Sequence, residues 1–308
     1  MALELRTPGR SFLGTILTSL FVFVLPPAGA IAAIVMVIMG RVQGIHLALF
    51  FGGWLLTGLG ITVGYHRLLT HRSFQTSAPV KAILLILGSM AMEGAAIGWV
   101  ENHVKHHLFS DREGDPHSPL KGFIHAHWGW LADFSSIEPN KYAPWAQEDP
   151  VAKWVSRTFP IWITASYLIP TLIAGWEGLI WGGLARQFFV HNVTFAVNSV
   201  CHRWGGRPFR TNDLSTNNWV VGILGLGEGW HNNHHAFPFS AFHGLKWWQF
   251  DISSEFIKML QGANLVWGVL SPNANQIEMK LIGATPAPAF TTVVAAAEEA
   301  PVYEVARR

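Results

Sequence analysis

Two long stretches without a charged side chain constrain this sequence more than any other feature. Residues 11–40 contain no Asp, Glu, Lys or Arg, and neither do residues 42–65. Each stretch exceeds the roughly 20 apolar residues that a helix needs to cross a bilayer. A third charge-poor block runs from Phe159 to about Cys201 and is interrupted by Gly175-Trp176-Glu177-Gly178. We interpret this block as two further spans joined by a tight turn.

The sequence therefore predicts an all-α membrane protein with four transmembrane helices in two hairpins and a cytoplasmic helical cap. The spans are expected at about 12–38, 44–65, 159–176 and 178–200. Composition agrees, because 50% of the residues are hydrophobic and only 13% are charged, unlike an ordinary soluble protein. Residues 80–100 are also apolar, but Glu93 lies among them. We expect an interfacial or packed helix there rather than a fifth span.

The distribution of basic residues predicts the side of the membrane that each segment faces. The turn after the first span holds only Arg41, the turn after the third holds none, and residues 66–157 hold nine. Both termini and every histidine cluster are therefore expected in the cytoplasm. The net charge is only +2, and no stripe of basic and aromatic residues suggests a nucleic-acid partner.

Outside the spans, we expect a short cytoplasmic leader at 1–11 and a single domain at 12–270. Residues 271–308 are rich in Ala, Pro and Glu and are expected to form a largely disordered C-terminal tail. The single Cys201 excludes a disulfide framework within the chain.

Nine of the fifteen histidines lie in three short clusters and at one further position. They are His66, His71, His103, His106, His107, His202, His231, His234 and His235. In each His-x-x-His-His cluster the rings recur at i, i+3 and i+4, which share one face of a helix. Nine imidazoles exceed what one four- to six-coordinate ion can bind, so the count predicts two metals. Structural zinc favours thiolates, whereas imidazole also suits non-haem iron.

His66 and His71 pose a geometric difficulty, because residues five apart lie roughly 140° out of phase on an ideal α-helix. They can serve one site only if the helix ends or bulges between them. The remaining histidines that stand alone are expected to be ordinary satisfied or exposed side chains. These are His46, His125, His127 and His243.

A polar stripe runs along the fourth predicted span. Its members recur at spacings of four, seven and four, and they are Gln187, His191, Asn198 and His202. Polar groups at membrane depth are costly and usually functional. For Gln187 and His191 the alternative is a packing role between helices.

Four segments resemble the motifs of membrane fatty acyl desaturases, in particular the bacterial type of the stearoyl-CoA (delta-9) desaturase branch. They are Gly64-Tyr65-His66-Arg67 with His71-Arg72, His103 to Asp111 with Asp115-Pro116-His117, Asn198 to His202, and Gly227-Glu228-Gly229-Trp230-His231 to Pro238. The resemblance covers roughly residues 45–255, about two-thirds of the chain.

The resemblance implies a centre of two ferrous ions held by the nine histidines, with O2 as co-substrate. It also implies that Asn198 holds a water on one iron, and that Trp99, Thr194 and Phe195 line the bend of an acyl tunnel. Phe195 departs from the Trp common in animal members. Gln187 and His191 are further candidate substrate contacts. Four side chains are candidates to orient the imidazoles through their far N–H groups: Asp111, Asp115, Glu228 and Asn232.

The reaction implied by the resemblance is O2-dependent desaturation of a saturated acyl chain, with acyl-CoA as the expected carrier and a cis double bond at the ninth carbon. Because no His-Pro-Gly-Gly haem-binding sequence occurs, electrons are expected from a separate donor, a ferredoxin or a b-type cytochrome with its reductase. The expected location is the bacterial inner membrane, among membrane lipids. A di-iron acyl or alkyl hydroxylase is the alternative enzyme. A histidine-rich metal transporter would instead need ligands at mid-bilayer.

Overall fold

The structure is a computed structural model that describes residues 19–132 and 141–283, which are mostly helical. Three helices are long and apolar enough to cross a membrane: Ser19–Ile38, Gly44–Thr70 and Phe159–Ser199. The first two are named α1 and α2 here. The predicted leader at 1–11 and residues 284–308 of the predicted tail lie outside the described residues.

Helix α1 changes its winding near its start. A π-helical turn over Ser19–Val24 is followed by an α-helix over Leu25–Ile38. Pro26 and Pro27 stand in the first turn of the α-helical part. Proline has no N–H to donate to the preceding turn, and a local change of winding beside it is how membrane helices accommodate the missing bonds.

Helix α2 packs closely against α3, Ala78–Met90, through glycines in its second half. That half, Gly60–Thr70, is a π-helix. A methyl group on Gly60 would lie 2.1 Å from the backbone N of Gly88, and one on Gly64 would lie 2.8 Å from the carbonyl O of Leu84. Only glycine permits this approach. Helix α3 has 13 residues, too few to cross a bilayer, which agrees with the packed helix predicted for this region.

The segment between α3 and the third long helix contains short helices. They are α4 at Ala96–Phe109, α5 at Phe123–His127, α6 at Pro144–Glu148 and α7 at Pro150–Arg157. Asp149 caps α7 by accepting hydrogen bonds from the N–H groups of Val151 and Ala152. The Nζ of Lys81 lies 2.5 Å from the other carboxylate oxygen of Asp149, so this ion pair joins α3 to the start of α7.

The third long helix reverses direction within itself. It consists of α8 at Phe159–Gly178, a π-helical stretch at Leu179–Ala185 and α9 at Arg186–Ser199. Ala174 and Gly175 leave the helical conformation, and Gly175 has φ +61°, which favours glycine. A methyl group on Gly182 would lie 2.6 Å from Cβ of Pro170. These residues would be about 18 Å apart in a straight helix, so the segment is a helical hairpin.

Two turns lie side by side at the end of the molecule farthest from the histidine clusters. One joins α1 to α2, and the other lies at the end of α8. Nη2 of Arg41 is 2.9 Å from Oε1 of Glu177, and Nε2 of His46 is 3.2 Å from Oε2 of the same carboxylate. The turn between α1 and α2 therefore contacts the turn between α8 and α9. His46 is a satisfied side chain, as predicted.

The region after α9 folds over the histidine end of the long helices. Its helices are α10 at Trp219–Leu224, α11 at His231–Ala236, α12 at Ile252–Gly262 and α13 at Ala274–Lys280. A short antiparallel pair of strands, β1 at Gln75–Thr76 and β2 at Val266–Trp267, departs from the predicted all-α fold.

The prediction of a largely disordered tail from residue 271 is wrong for its first part. Asn273 and Gln276 form a capping box at the start of α13, which satisfies backbone donors that would otherwise be unpaired. The backbone N–H of Ile282 donates to the carbonyl O of Pro208 at 2.9 Å. This bond, together with the one from the N–H of Arg210 to the carbonyl O of Lys280 at 2.9 Å, holds the end of this segment against the loop that follows α9.

Candidate metal centre

The π-helical winding of α2 solves the spacing problem of its two histidines. The backbone N–H of His71 donates to the carbonyl O of His66 at 3.0 Å, which is the i→i+5 bond of a π-helix. Residues five apart therefore lie almost one above the other, and the two ring centroids are 4.7 Å apart. The bulge that the sequence required between these residues is present.

The nine clustered histidines form two groups, in each of which the possible ligand atoms lie within 4.8 Å of one another. The first group contains five: His66, His71, His103, His107 and His234. The second contains four: His106, His202, His231 and His235. Helices α4 and α11 each contribute histidines to both groups. On each helix the rings at i and i+4 belong to one group, and the ring at i+3 belongs to the other. The structure thus brings all nine predicted residues together.

Distances between ring nitrogens within the groups match those around a bound metal. Nε2 of His66 is 3.2 Å from Nε2 of His234, which is 3.0 Å from Nε2 of His107, and Nε2 of His202 is 3.0 Å from Nε2 of His231. Two nitrogens that each lie about 2.1 Å from one ion, at right angles, are about 3 Å apart. Buried nitrogens without a protein partner include Nε2 of His71, His106 and His235. The donor set fits a metal in each group.

Four of these imidazoles are oriented by carboxylates on their far side. Nδ1 of each ring lies 2.7–3.0 Å from a carboxylate oxygen, and the pairs are His66–Glu228, His106–Asp115, His202–Asp111 and His235–Asp213. An Nδ1–H that donates to a carboxylate leaves the Nε2 lone pair free for a metal and fixes the ring plane. Three of the four predicted orienting residues therefore lie where that role requires.

The electrostatics of the groups favour neutral rings and ionised carboxylates. Burial, followed by the neighbouring imidazoles, holds the pKa of His103, His107, His231 and His234 well below its usual range. Burial alone would raise the pKa of Asp115, but the adjacent His106 outweighs it and leaves that pKa below the ordinary value. A neutral imidazole is the form that ligates a metal.

An apolar cavity leads to both histidine groups. It encloses about 590 Å³ of empty space, including its open mouth. One end lies at Trp54, and the other is lined by His66 and His103 of the first group and His231 of the second. Its walls come from α2, α4, α9, the end of α10 and the residues after it, and the apolar lining includes Gly58, Ile61, Val190, Val193, Val197 and Leu226. A flexible apolar chain fits such a space better than a polar substrate does.

Comparison with known proteins agrees with this geometry. Residues 42–253 match the family model described as fatty acid desaturase. The chain belongs to the fatty acid desaturase family. It is 40% identical over 260 residues to the sn-1 stearoyl-lipid 9-desaturase of Anabaena variabilis, covering 84% of this chain and 91% of that protein. It is also 40% identical over 278 residues to the hex-5-enoyl-[acyl-carrier protein] acetylenase of Moorena producens, covering 83% and 87%.

A third relative is named for an acyl chain that is attached to coenzyme A. The icosanoyl-CoA 5-desaturase of Limnanthes douglasii is 40% identical over 223 residues, covering 71% of this chain and 63% of that protein. Members of the desaturase family with similar identity thus differ in carrier and in bond position. Among these three relatives none is a hydroxylase, so the alternative reaction is not favoured.

The residues predicted to contact substrate divide into two sets. Trp99, Thr194 and Asn198 line the cavity, with Asn198 at the end where His231 lies. Phe195 is outside this lining, because its ring points from the other side of α9 toward His127 and Trp130, with centroids 6.0 Å from each. The expectation that Phe195 lines the acyl tunnel is therefore corrected.

Gln187 and His191 also lie outside the cavity lining. The side-chain amide of Gln187 donates to the carbonyl O of Phe21 at 2.9 Å, and the ring of His191 bonds the carbonyl O of Ala91 at 3.0 Å. Tyr167 donates to the amide oxygen of Gln187. Both residues therefore have the alternative role, packing between helices, rather than the predicted contact with substrate.

Asn232 does not orient an imidazole. Its side chain accepts a hydrogen bond from the backbone N–H of Phe209 at 2.8 Å and donates to the carbonyl O of the same residue. It therefore pins the loop that precedes α10. The fourth orienting carboxylate is Asp213, which sequence reasoning missed because it lies in an irregular loop with no recognisable spacing from His235.

His243, which was expected to be an ordinary satisfied or exposed side chain, lies against the first histidine group. It is buried with its Nδ1 3.4 Å from Oε2 of Glu228 and its ring centroid 4.5 Å from that of His234. Glu228 also contacts the buried guanidinium of Arg67 at 3.0 Å. The carboxylate that orients His66 is thus itself held from two sides.

Glu93 is a further residue of the cavity region that the sequence did not single out for function. Its Oε2 accepts a hydrogen bond from Nε1 of Trp99 at 3.1 Å. Burial raises the pKa of Glu93 to about 7, although hydrogen bonds from Thr194 and Trp99 limit the rise.

Two non-glycine residues near the cavity have a left-handed backbone conformation. Met92, which precedes Glu93, has φ +66°, and Leu226 on the cavity wall has φ +55°. Such non-glycine conformations cost free energy and are often found at functional sites.

Proposed function

We propose that this protein is an O2-dependent desaturase that introduces a cis double bond at the ninth carbon of a saturated fatty acyl chain, using two irons bound by the nine histidines. The observation that carries the proposal is the apolar cavity that ends on ligands of both histidine groups. Methylene groups offer no polar handle, so only the position of the chain in a narrow space can select one carbon.

The histidines supply what the metals need for this chemistry. Irons held there would provide the O2 activation that amino-acid side chains lack, because an alkyl C–H bond resists acids, bases and nucleophiles. The four carboxylates keep Nδ1 protonated and Nε2 directed inward. Asn198 lies at the cavity end beside His231, where its amide can hold a water against the second group.

The cavity residues position the chain and exclude water. Trp99 of α4 and Thr194 of α9 both line the cavity, and both hydrogen-bond to the carboxylate of Glu93. The bond between Trp99 and Glu93 fixes the indole plane. The apolar lining keeps bulk water from the reacting carbons, which prevents loss of oxidising equivalents to solvent.

The carrier of the acyl chain has three candidates, one of which is the acyl-carrier protein in the name of the Moorena relative. Acyl-CoA is the carrier expected from the sequence, and an icosanoyl-CoA desaturase is among the relatives. A chain esterified to a glycerolipid is the second candidate, because the Anabaena relative, which aligns with 84% of this chain, acts on stearoyl-lipid. Electrons would come from a separate ferredoxin or b-type cytochrome with its reductase.

We further propose four membrane crossings, with both termini and the metal centre in the cytoplasm of a bacterium and a single catalytic domain at 12–270. The hairpin at Gly175 and the contact of Arg41 with Glu177 support two hairpins whose turns lie on the same side. The basic residues of 66–157 support a cytoplasmic cap.

The test is expression in a bacterial host that requires unsaturated fatty acids, followed by gas chromatography of its lipids. We expect growth without the supplement and monounsaturated chains with the bond at the ninth carbon. Variants His202→Ala and Asn198→Ala should lose this product. Purified protein supplied with stearoyl-CoA, stearoyl-carrier protein or stearoyl glycerolipid then identifies the carrier. A hydroxylated product instead of an alkene would contradict the proposal.

A further inference from the structure

An exposed apolar face lies on the cap beside the long helices. It comprises two segments, the outer side of α10 and the loop that follows α11. We name it the α10 face, and its members are Trp219, Val220, Ile223, Leu224, Trp247, Trp248 and Phe250. Trp247 is 97% exposed and Trp219 is 65% exposed. Clustered indoles in water would be unfavourable, so a contiguous patch of this kind marks a contact surface.

The two segments form one surface because Trp230 joins them. The Nε1 of Trp230 donates to the carbonyl O of Phe250 at 2.9 Å, and its ring lies 5.6 Å from that of Trp248. The same indole lies against Gly222 of α10, where a methyl group would be 3.1 Å from the ring.

The position of α10 relative to the long helices indicates what covers this face. Nε1 of Trp54 in α2 donates to the carbonyl O of Leu224 at 3.1 Å. Trp54 lies twelve residues before His66 within a helix apolar enough to cross a membrane, which is roughly 15 Å or more along the axis. Measured along the axis of α2, the end of α10 is therefore far from the metal ligands and lies beside the apolar middle of that helix.

We propose that the α10 face is inserted into the leaflet on the metal side of the bilayer, so that the cap is partly embedded in lipid. Trp and Tyr concentrate at the boundary between hydrocarbon and head groups, where their apolar rings and polar N–H or O–H groups are both satisfied. Lys246 is exposed beside the face, with its Nζ 5.8 Å from the ring of Trp248. A lysine at this place suits the anionic head groups of phospholipids.

This insertion has a consequence for the cavity. Leu224 is 38% exposed on the α10 face and also lines the cavity, as do Gly225 and Leu226. A wall one residue thick therefore separates the acyl cavity from lipid. A protein partner on this face would have to penetrate between the cap and the bilayer, which is why we assign the face to lipid.

The experiment places an environment-sensitive fluorophore on single introduced cysteines in the full-length protein with its metals, in nanodiscs of phosphatidylethanolamine and phosphatidylglycerol. Variants Trp247→Cys and Ile223→Cys report on the face, and Glu113→Cys, in an exposed loop after the second histidine cluster, is the matched control. The parent chain, whose only cysteine is buried, controls for background labelling.

We expect spin-labelled lipids to quench the probes at 247 and 223 severalfold more strongly than the probe at 113. Aqueous iodide should show the reverse order. Ile223 should respond more than Trp247 to spin labels deep in the acyl chain. If the probe at 247 is as accessible to iodide as the probe at 113 and insensitive to lipid quenchers, the proposal is overturned, and a soluble partner or a second copy covers the face. The measurement needs no turnover, so it is independent of the proposed function.

Discussion

The carboxylates behind the histidines give the clearest expectations for single residues. Asp213 lies 2.8 Å from Nδ1 of His235 and was not found from sequence, so it tests the site as the structure describes it. Asp213→Asn removes the charge while keeping the size of the side chain. Loss of such a partner typically weakens metal affinity 10- to 100-fold. We expect this loss, measured as iron per chain after dialysis against a graded series of chelator concentrations.

The control for this variant is Glu255→Gln, which changes a carboxylate that is 63% exposed and remote in sequence from the histidines. It should retain the iron content of the parent protein. Equal iron retention by Asp213→Asn and the parent would show that the carboxylate behind His235 does not support a metal.

Glu93 provides a pH-dependent expectation. Its pKa in the folded protein is about 7, against 4.5 in the reference state, so the fold favours the protonated form. The unfolded chain releases this proton first, and the folded state therefore loses stability as the pH rises from about 4.5 to 7 and stays less stable above that range. Glu93→Gln removes this cost while keeping an oxygen that can accept from Trp99.

We expect Glu93→Gln to unfold about 3–6 °C higher than the parent protein at pH 8, with little difference at pH 4.5. Thermal unfolding in detergent, followed by tryptophan fluorescence at both pH values, measures this. A variant that is less stable at pH 8 would mean that Glu93 is ionised and paired in the fold.

At the scale of elements, the contact of α2 with α3 depends on glycine. A Cβ on Gly60 would lie 2.1 Å from the backbone N of Gly88, whereas one on Gly52, in the same helix, meets nothing within 4 Å. Gly60→Ala should lower the free energy of unfolding by about 1–3 kcal/mol or more, because backbone atoms must move apart. Gly52→Ala should be neutral or stabilising by up to about 1 kcal/mol.

The comparison of these two alanine variants is made by the temperature of unfolding and by iron content. Gly60 precedes His66 in the π-helical stretch, so its substitution should also reduce bound iron, while Gly52→Ala retains it. If both variants behave alike, the close packing of α2 on α3 does not position the first histidine group.

Elements with a repeated spacing could be predicted from sequence, and irregular ones could not. The two His-x-x-His-His clusters have a fixed internal spacing and the charge-free stretches have a sufficient length, so the histidine groups and the long helices follow from them. The direction of single side chains on α9 did not follow. Thr194 and Phe195 are neighbours, but a turn of roughly 100° between them directs one to the cavity and the other to His127. Asp213 lies in a loop, and its distance from His235 depends on tertiary folding alone.

At the scale of the whole molecule, the polar turns lie at one end of the long helices and the histidine groups lie at the other. The ion pair of Arg41 with Glu177 joins the two hairpin turns, whereas the histidines and the basic loops lie at the other end of α2. The long apolar helices run from the turns to the histidine groups. Their length therefore fixes the depth of these groups relative to the membrane. If the positive-inside rule holds, the turns face away from the cytoplasm.

This arrangement predicts which sites react with a membrane-impermeant maleimide in intact bacterial cells. Arg41→Cys and Trp176→Cys, both at exposed positions in the turns, should be labelled from outside. Glu113→Cys should be labelled only after the inner membrane is permeabilised, and the parent chain should remain unlabelled because Cys201 is buried. If the segment from Phe159 to Ser199 crossed the membrane once, Trp176 would lie within the hydrocarbon and resist labelling under both conditions. That result would contradict the four-span topology, and labelling of Glu113→Cys from outside would contradict the cytoplasmic orientation of the cap.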